Sequence, residues 1–354
     1  MEKGKKAMTK PTSPNGETKP ANKILKITLI VVLSIIGFLA LVFFGIRAYF
    51  MLPVSDYYSV SEETFEIPKL DEGFVPQGFC YDSKNQVFLV SGYDAGDKPS
   101  SVHVIDKNTQ KTVHSVDLKK KNGKDFTGHA GGIAQYDKWV YVAGSSAHCI
   151  YVFLYEDVLT KPEATCVGEF SLEVSDDDYI KASFLSACEG KLIVGEFHSE
   201  PSYKTQDSHK VTTKSGQNFG GLAVEYVLST IPEFGISPTP QKVYALPDKV
   251  QGVHFDKENF YLSTSHGLNL STIYEMSASL LPNEGTIEIL GRKLPLYSMD
   301  QTAIKRQFKT PPMAEEITVV DGKLYIMSEF ACNKYILGKF TSAYRCYATD
   351  LSKI

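Results

Sequence analysis

Beyond Met51 the chain repeats one short pattern five times, and that recurrence limits the fold more than any other feature. Gly78-Phe-Cys-Tyr-Asp82, Gly132-Ile-Ala-Gln-Tyr-Asp137, Gly252-Val-His-Phe-Asp256 and Glu316-Ile-Thr-Val-Val-Asp321 share one slot, and Ser183-Phe-Leu-Ser-Ala-Cys-Glu189 is a looser copy. Each precedes a second apolar run, at 87–91, 139–143, 191–195, 259–263 and 323–328. Third runs follow at 101–106, 148–153, 222–228, 272–276 and 344–350, and fourth runs at 112–118, 165–172, 241–246 and 303–309. Short alternating runs separated by turns indicate strands rather than helices. The fifth unit has no fourth run of its own, but Thr64-Phe-Glu-Ile-Pro-Lys-Leu70 leads into Val75-Pro-Gln-Gly78 as 241–246 leads into Val250-Gln-Gly252. A ring of small sheets avoids open edges when both chain ends share one sheet. The expectation is an all-β fold, a five-bladed β-propeller over 64–354 whose N-terminal strand closes the last blade.

Ahead of the repeats, residues 27–46 form 20 consecutive residues without a charge. As a helix such a run rises about 30 Å, the thickness of a bilayer's hydrocarbon core. Lys3, Lys5, Lys6, Lys10, Lys19, Lys23 and Lys26 precede it, against Glu2 and Glu17, while Arg47 is the only nearby cation after it. That asymmetry holds the N-terminus in the cytoplasm. The run is too long for a signal-peptide core and no small-x-small site follows it. The organisation expected is a basic cytoplasmic tail (1–26), a transmembrane helix (27–46), a linker (47–63) and an extracellular propeller (64–354), single-pass in the plasma membrane. So short a linker keeps the propeller close to the membrane surface.

A formal net charge of −4 argues against nucleic acid as a partner. Six cysteines, Cys80, Cys149, Cys166, Cys188, Cys332 and Cys346, allow Cys149 to face Cys166 and Cys332 to face Cys346 across hairpins, or all to be buried thiols. They show no zinc-ligand spacing. Neither a nucleophile elbow, a Walker loop nor a dinucleotide fingerprint stands in a fitting context.

Strand order locates a site. Loops entering the first strands and loops joining second to third strands emerge on one face, around the central channel. Gln77, His129, Lys181, Gln251, Glu315 and Glu316 enter the first strands; Asp94, Asp97, Glu196, His198, His266 and Glu329 stand at the second-to-third loops. Gln77, His129, Gln251, Glu316 and His266 are therefore expected to line the channel. Glu196, Glu315 and Glu329 are candidate ligands for a hard cation such as calcium. With His129 they are equally candidates for acid–base catalysis; a structural role, accepting backbone or tyrosine hydrogen bonds, competes with both. His254 reads as packed, His103 and His114 as exposed. Two long inserts, 198–220 and 277–302, read as functional or disordered loops, the first as a lid.

Val75-Pro-Gln-Gly78, Val250-Gln-Gly252 and His129-Ala-Gly-Gly132 give the repeat a grammar that resembles bacterial secreted propellers of the YVTN/NHL and gluconolactonase-like superfamily, over about residues 64–354. That resemblance implies an extracytoplasmic propeller with a ligand site at the channel. In the gluconolactonase-like enzymes acidic and Asn residues hold a divalent metal there; Glu315 and Glu196 occupy comparable places, but the Asn ligands lack counterparts. Two functions are expected from this: a surface module that binds a small molecule, glycan or protein partner, or a metal-dependent hydrolase or lyase acting on an ester, lactone or sugar.

Overall fold

A computed structural model describes residues 20–96 and 98–354. The tail ahead of residue 20, and Asp97, lie outside the described residues. The chain divides into two units at Ile46/Arg47. The described part of the first is helical, within the helix Pro20–Met51. Apolar side chains such as Ile27, Leu33, Phe38 and Leu41 are exposed around it, and its best 18-residue window has a mean hydropathy of 3.0. A helix that is apolar all round is long and hydrophobic enough to span a membrane.

The second unit is a five-bladed propeller. Blade one runs outward through Phe74–Asp82, Val87–Asp94, Ser101–Asp106 and Lys111–Lys119, and blade two through Ile133–Tyr136, Trp139–Gly144, Cys149–Leu154 and Gly168–Ser171. Blade three comprises Phe184–Cys188, Lys191–Gly195, Gly221–Leu228 and Ile236–Leu246; blade four comprises Val250–Phe255, Asn259–Thr264, Leu270–Ser277 and Ile304–Pro312. Blade five holds Ala314–Val320, Lys323–Ser328 and Arg345–Thr349, with Ser61–Glu66 as its outermost strand. Ser61 pairs with Thr349 in antiparallel register, so the first strand of the unit closes the last blade. Each innermost strand touches the next, and blade five's touches blade one's.

Burial follows from that geometry. Blades pack face to face, so their inner strands are buried on both sides and read as continuous apolar runs, as in Val87–Asp94. Outer strands such as Lys111–Lys119 are exposed over their first three residues and alternate in burial over Ser115–Lys119. The recurring glycines mark where inner strands nearly touch at the axis. A Cβ on Gly78 would stand 2.7 Å from Ile133 N, one on Gly132 2.6 Å from Phe184 Cα, and one on Gly252 2.5 Å from Glu316 Cα.

Three features differ from expectation. The closing strand starts at Ser61, and the stretch before it is not extended: Leu52–Val54 and Ser55–Ser59 are helical turns, with Val54 and Tyr57 buried in one cluster with Ile317, Leu324 and Tyr347. The 277–302 insert is ordered, because Asn283–Ile289 and Arg292–Ser298 form a hairpin. Leu296–Ser298 of that hairpin pairs in parallel with Val243–Ala245, covering blade three's outer edge. Apolar Ile289, Leu294 and Leu296 join the core there, an energetic reason to dock.

His103 is the third. Far from exposed, it is fully buried, because the third strand of blade one has neighbours on both faces. Its Nδ1 lies 2.8 Å from Ser115 Oγ, its Nε2 3.3 Å from Ser101 Oγ, and Phe74 packs edge-on against it. Burial, and secondarily Lys69, pushes its pKa down from 6.5 to about 3. Protonation therefore favours the unfolded chain: the contribution is complete above about 6.5 and is lost as pH falls toward 3. Thermal melts of wild type and His103→Gln between pH 7 and pH 4 check this, with the variant expected to show the shallower acid loss.

Candidate functional site

The channel face presents three groups of side chains. At the axis stands Glu316, in the slot that glycine fills in blades one, two and four. Its Oε2 accepts from Phe79 N at 2.7 Å and Ile133 N at 3.2 Å, and its Oε1 from Leu185 N at 3.1 Å. One carboxylate of blade five thus ties together the inner strands of blades one, two and three. Burial pushes its pKa well above the usual carboxylate range, and the three N–H donors pull the other way. These bonds make Glu316 an axle of the ring.

The second group lies beside it. Glu315 and Glu329 are buried and interact electrostatically with each other. Gln77 Nε2 donates to Glu329 Oε2 at 2.9 Å. Among the described residues Glu315 Oε1 is buried without any hydrogen-bond partner. Burial, then the neighbouring carboxylates Glu329 and Glu316, raises the Glu315 pKa well above its ordinary value; burial raises Glu329 to about 7. The positive charge of Lys334, whose side chain is exposed, pulls both pKa values the other way. Lys334 Nζ donates to Tyr93 Oη at 2.5 Å and lies 5.2 Å from that ring's centroid. These two distances put the ammonium at the hydroxyl end of the ring rather than over its face, so the contact is a hydrogen bond. His129, exposed at the rim, stacks on Tyr93 at 4.6 Å.

Tight turns shape the loop that carries Glu329, Lys334 and Tyr335. Backbone N–H groups of Cys332, Tyr335 and Gly338 donate to Glu329, Cys332 and Tyr335 oxygens in succession. Gly338 lies so close to the Phe330 carbonyl that no Cβ fits. Outside the loop, Phe50 packs edge-on against Phe330 at 5.1 Å and Arg47 Nη1 donates to Phe340 O at 3.1 Å.

The third group belongs to blades three and four. Glu196 accepts from Lys181 N and Leu222 N, each at 3.2 Å, and lies 2.8 Å from His209 Nδ1. Since His209 belongs to the 198–220 insert, this contact pins the insert to its own blade. Thr213 and Ser215 reach Asp300, and Lys214 N donates to Glu284 at 2.9 Å, so the insert is also fastened to the other insert. Phe197, Tyr203 and His266 form an aromatic cluster, with ring centroids 5.3–6.0 Å apart and Tyr203 exposed. Gln251 is half-buried in blade four's inner strand.

Gln77, Glu315, Glu316 and Glu329 therefore gather at the axis, with His129 reached through Tyr93, while Glu196 and His266 stand apart. Among the described residues no three His, Cys, Asp or Glu side chains are placed to hold a metal ion. Tyr93, Lys334 and Tyr335 carry no sequence pattern that singles them out; the one available signal was an unusually long second-to-third loop in blade five. A cavity of about 380 Å³ lies to the side, between residues 66–72 and 331–344. Asp71 and Lys339 on its wall pair with each other, whereas the channel cluster holds one of the buried acceptors left unpaired among the described residues.

No family model matches the chain, and no curated protein matches it. Among solved structures it is similar to a glutaminyl cyclase from Myxococcus xanthus (9% identity, 81% of this chain and 94% of that one, TM-score 0.43). It is also similar to a PQQ-bound aldose sugar dehydrogenase from Streptomyces coelicolor (13% identity, 81% and 95%, TM-score 0.44). A third is a putative oxidoreductase (glucose dehydrogenase) from Thermus thermophilus (10% identity, 81% and 98%, TM-score 0.40). Likenesses this distant carry nothing about function to this chain.

Proposed function

We propose that this chain is a ligand-binding module held at the plasma membrane, its N-terminus cytoplasmic and its propeller extracellular. Support for the placement comes from the lysine-rich flank before the apolar helix and the near absence of cations after it. The binding site is the Glu315–Glu329 cluster at the channel, and one observation carries that reading: Glu315 Oε1 is a buried acceptor with no partner among the described residues. Natural interiors satisfy most such groups, and one left unpaired where five blades converge has an acceptor free for a ligand. The exposed aromatic group at Tyr203 extends the same face toward a glycan, peptide or cell-envelope partner.

A second reading rests on the same pair. Two carboxyls, Glu329 raised by burial to about 7 and Glu315 raised well above its ordinary value, supply a proton donor and an acceptor, as hydrolysis of a small ester, lactone or glycoside requires. In the metal-dependent form of that reading, calcium takes Glu315 and Glu329 as ligands and needs further oxygens from elsewhere.

Thermal-shift assays of the detergent-solubilised full chain against glycan and peptide panels, and against calcium, test these readings. A ligand at 100 times its Kd raises stability by about 2.7 kcal/mol. Binding is expected in wild type and lost in Glu315→Gln and Glu329→Gln. Hydrolysis with a pH limb near 7 that vanishes in Glu329→Gln favours the enzyme instead. A shift with calcium alone favours the metal.

A further inference from the structure

Resting on the membrane placement proposed above, we infer that the propeller turns its channel face toward the bilayer and docks it on an anionic lipid surface. The second unit begins at Arg47, directly after the charge-free run that ends at residue 46. Its first residues are fastened to the channel face. Arg47 Nη1 donates to Phe340 O at 3.1 Å, Nη2 donates to Ser342 Oγ at 3.5 Å, and the buried Phe50 ring packs on the buried Phe330 ring. Phe330, Phe340 and Ser342 lie in the 329–344 loop, which joins the second strand of blade five to its third on the channel side. Arg47 and Phe50 belong to one helix, ending at Met51, and three residues of helix rise only about 5 Å. Covalent continuity therefore puts the bilayer boundary beside this face.

The route taken next shows that the entry is built in. The closing strand starts at the opposite end of blade five, where Ser61 pairs with Thr349, and climbs to Glu66 beside Arg345 at the channel end. A chain arriving from the far side could join that strand directly. Instead residues 52–60 descend the flank, with Val54 and Tyr57 buried in one cluster with Ile317 and Leu324, and Tyr57 stacked on Phe308 of blade four. Side chains suited to a bilayer surface share the channel face. Ile336 in the loop is 71% exposed, and Tyr49 and Leu52 beside the entry are exposed too. Lys120, Lys121 and Lys124 are exposed on the loop entering blade two, where anionic headgroups would attract them. The far face differs in charge: Asp82, Asp137, Glu189, Asp256 and Asp321 place one acid at the end of every first strand. Lys107 and Lys257 pair with only two of them. A channel mouth turned this way receives its ligand from the membrane surface rather than from bulk solvent.

Contact quenching of the full-length protein in proteoliposomes tests this, with phosphatidylcholine, phosphatidylglycerol and a headgroup-nitroxide lipid in both leaflets. A fluorophore is attached at Ile336→Cys, Lys121→Cys or Ile231→Cys, the last in a turn on the far face of blade three where Ile231 is 92% exposed. The six native thiols are buried or half-buried, and wild type treated with the same label gives the background. Second strands such as Lys323–Ser328 and Val87–Asp94 hold the two faces about 20–26 Å apart, so a contact quencher distinguishes them. Quenching is expected at positions 336 and 121 and absent at 231. Omitting phosphatidylglycerol should reduce it at 121, and an unchanged signal there would overturn the anionic surface as partner. Quenching at 231 as strong as at 336 would overturn the facing, and so would quenching at 336 alone, which marks a propeller touching by one edge. Protein that resists alkaline extraction yet is quenched nowhere keeps its anchor and overturns the docking. Protein stripped from the vesicles by alkali overturns the membrane placement and the docking with it.

Discussion

Removing the Glu316 side chain is expected to destabilise the propeller by about 4 kcal/mol or more, since three buried N–H donors then lose their acceptor at 1–3 kcal/mol each. Those donors, Phe79 N, Ile133 N and Leu185 N, belong to three different blades, so Glu316→Ala loosens the ring at its centre. Glu316→Gln is the more informative change. Its single oxygen can still accept from Phe79 and Ile133, but its NH2 group then faces the Leu185 N–H, donor against donor. A loss of about 2–3 kcal/mol is expected for this near-isosteric substitution. Urea unfolding of the full chain in detergent, comparing midpoints for wild type, Gln and Ala, reads both effects. A Gln variant as stable as wild type would mean that the Leu185 donor is satisfied without an ionised carboxylate. By contrast, Glu329→Gln should be mild or stabilising near neutral pH. Burial holds the Glu329 carboxyl at about 7, above the ordinary 4.5, so its ionisation weighs against the folded state as pH climbs between those values.

How much of this was legible in the sequence depends on which interactions are periodic. The blade count and the shared last blade were, because the inner strands repeat one slot and turn, with a small residue in that slot in four of the five blades. Glu316 was visible as the charged member of that slot, although its three acceptor bonds come from blades far away in the chain. The covering hairpin at 283–298 was hidden, since alternating polar residues in a long insert do not reveal which edge they will meet. His103 was misplaced because a polar residue between Val102 and Val104 looks like an outward position, whereas the neighbouring elements bury both faces of that strand. Lys334 and Tyr93 were invisible for a plainer reason. They are 241 residues apart and meet only because the ring closes.

That closure makes Gly132→Ala the second severe change. Gly132 has no need of an unusual backbone angle; what it lacks is room. A Cβ there would stand 2.6 Å from Phe184 Cα and 2.7 Å from Phe184 C, both of them backbone atoms of the next blade. A crowding side chain can rotate away, but a crowding backbone moves only if blades two and three separate. The expected loss is therefore at or above the upper end of the usual overpacking range, about 3 kcal/mol. Gly123→Ala is the matched control: it has open space around it and a φ of +78°, so it should cost only about 1 kcal/mol for backbone strain. The two inner strands forced apart carry Ile133 N and Leu185 N, two of the three donors to Glu316. Once Gly132→Ala has parted them, deleting the Glu316 carboxylate removes bonds already broken. The double variant should then be less destabilised than the sum of the singles, by about 1 kcal/mol or more in urea unfolding. Strict additivity would mean that glycine spacing and the central carboxylate hold the ring independently.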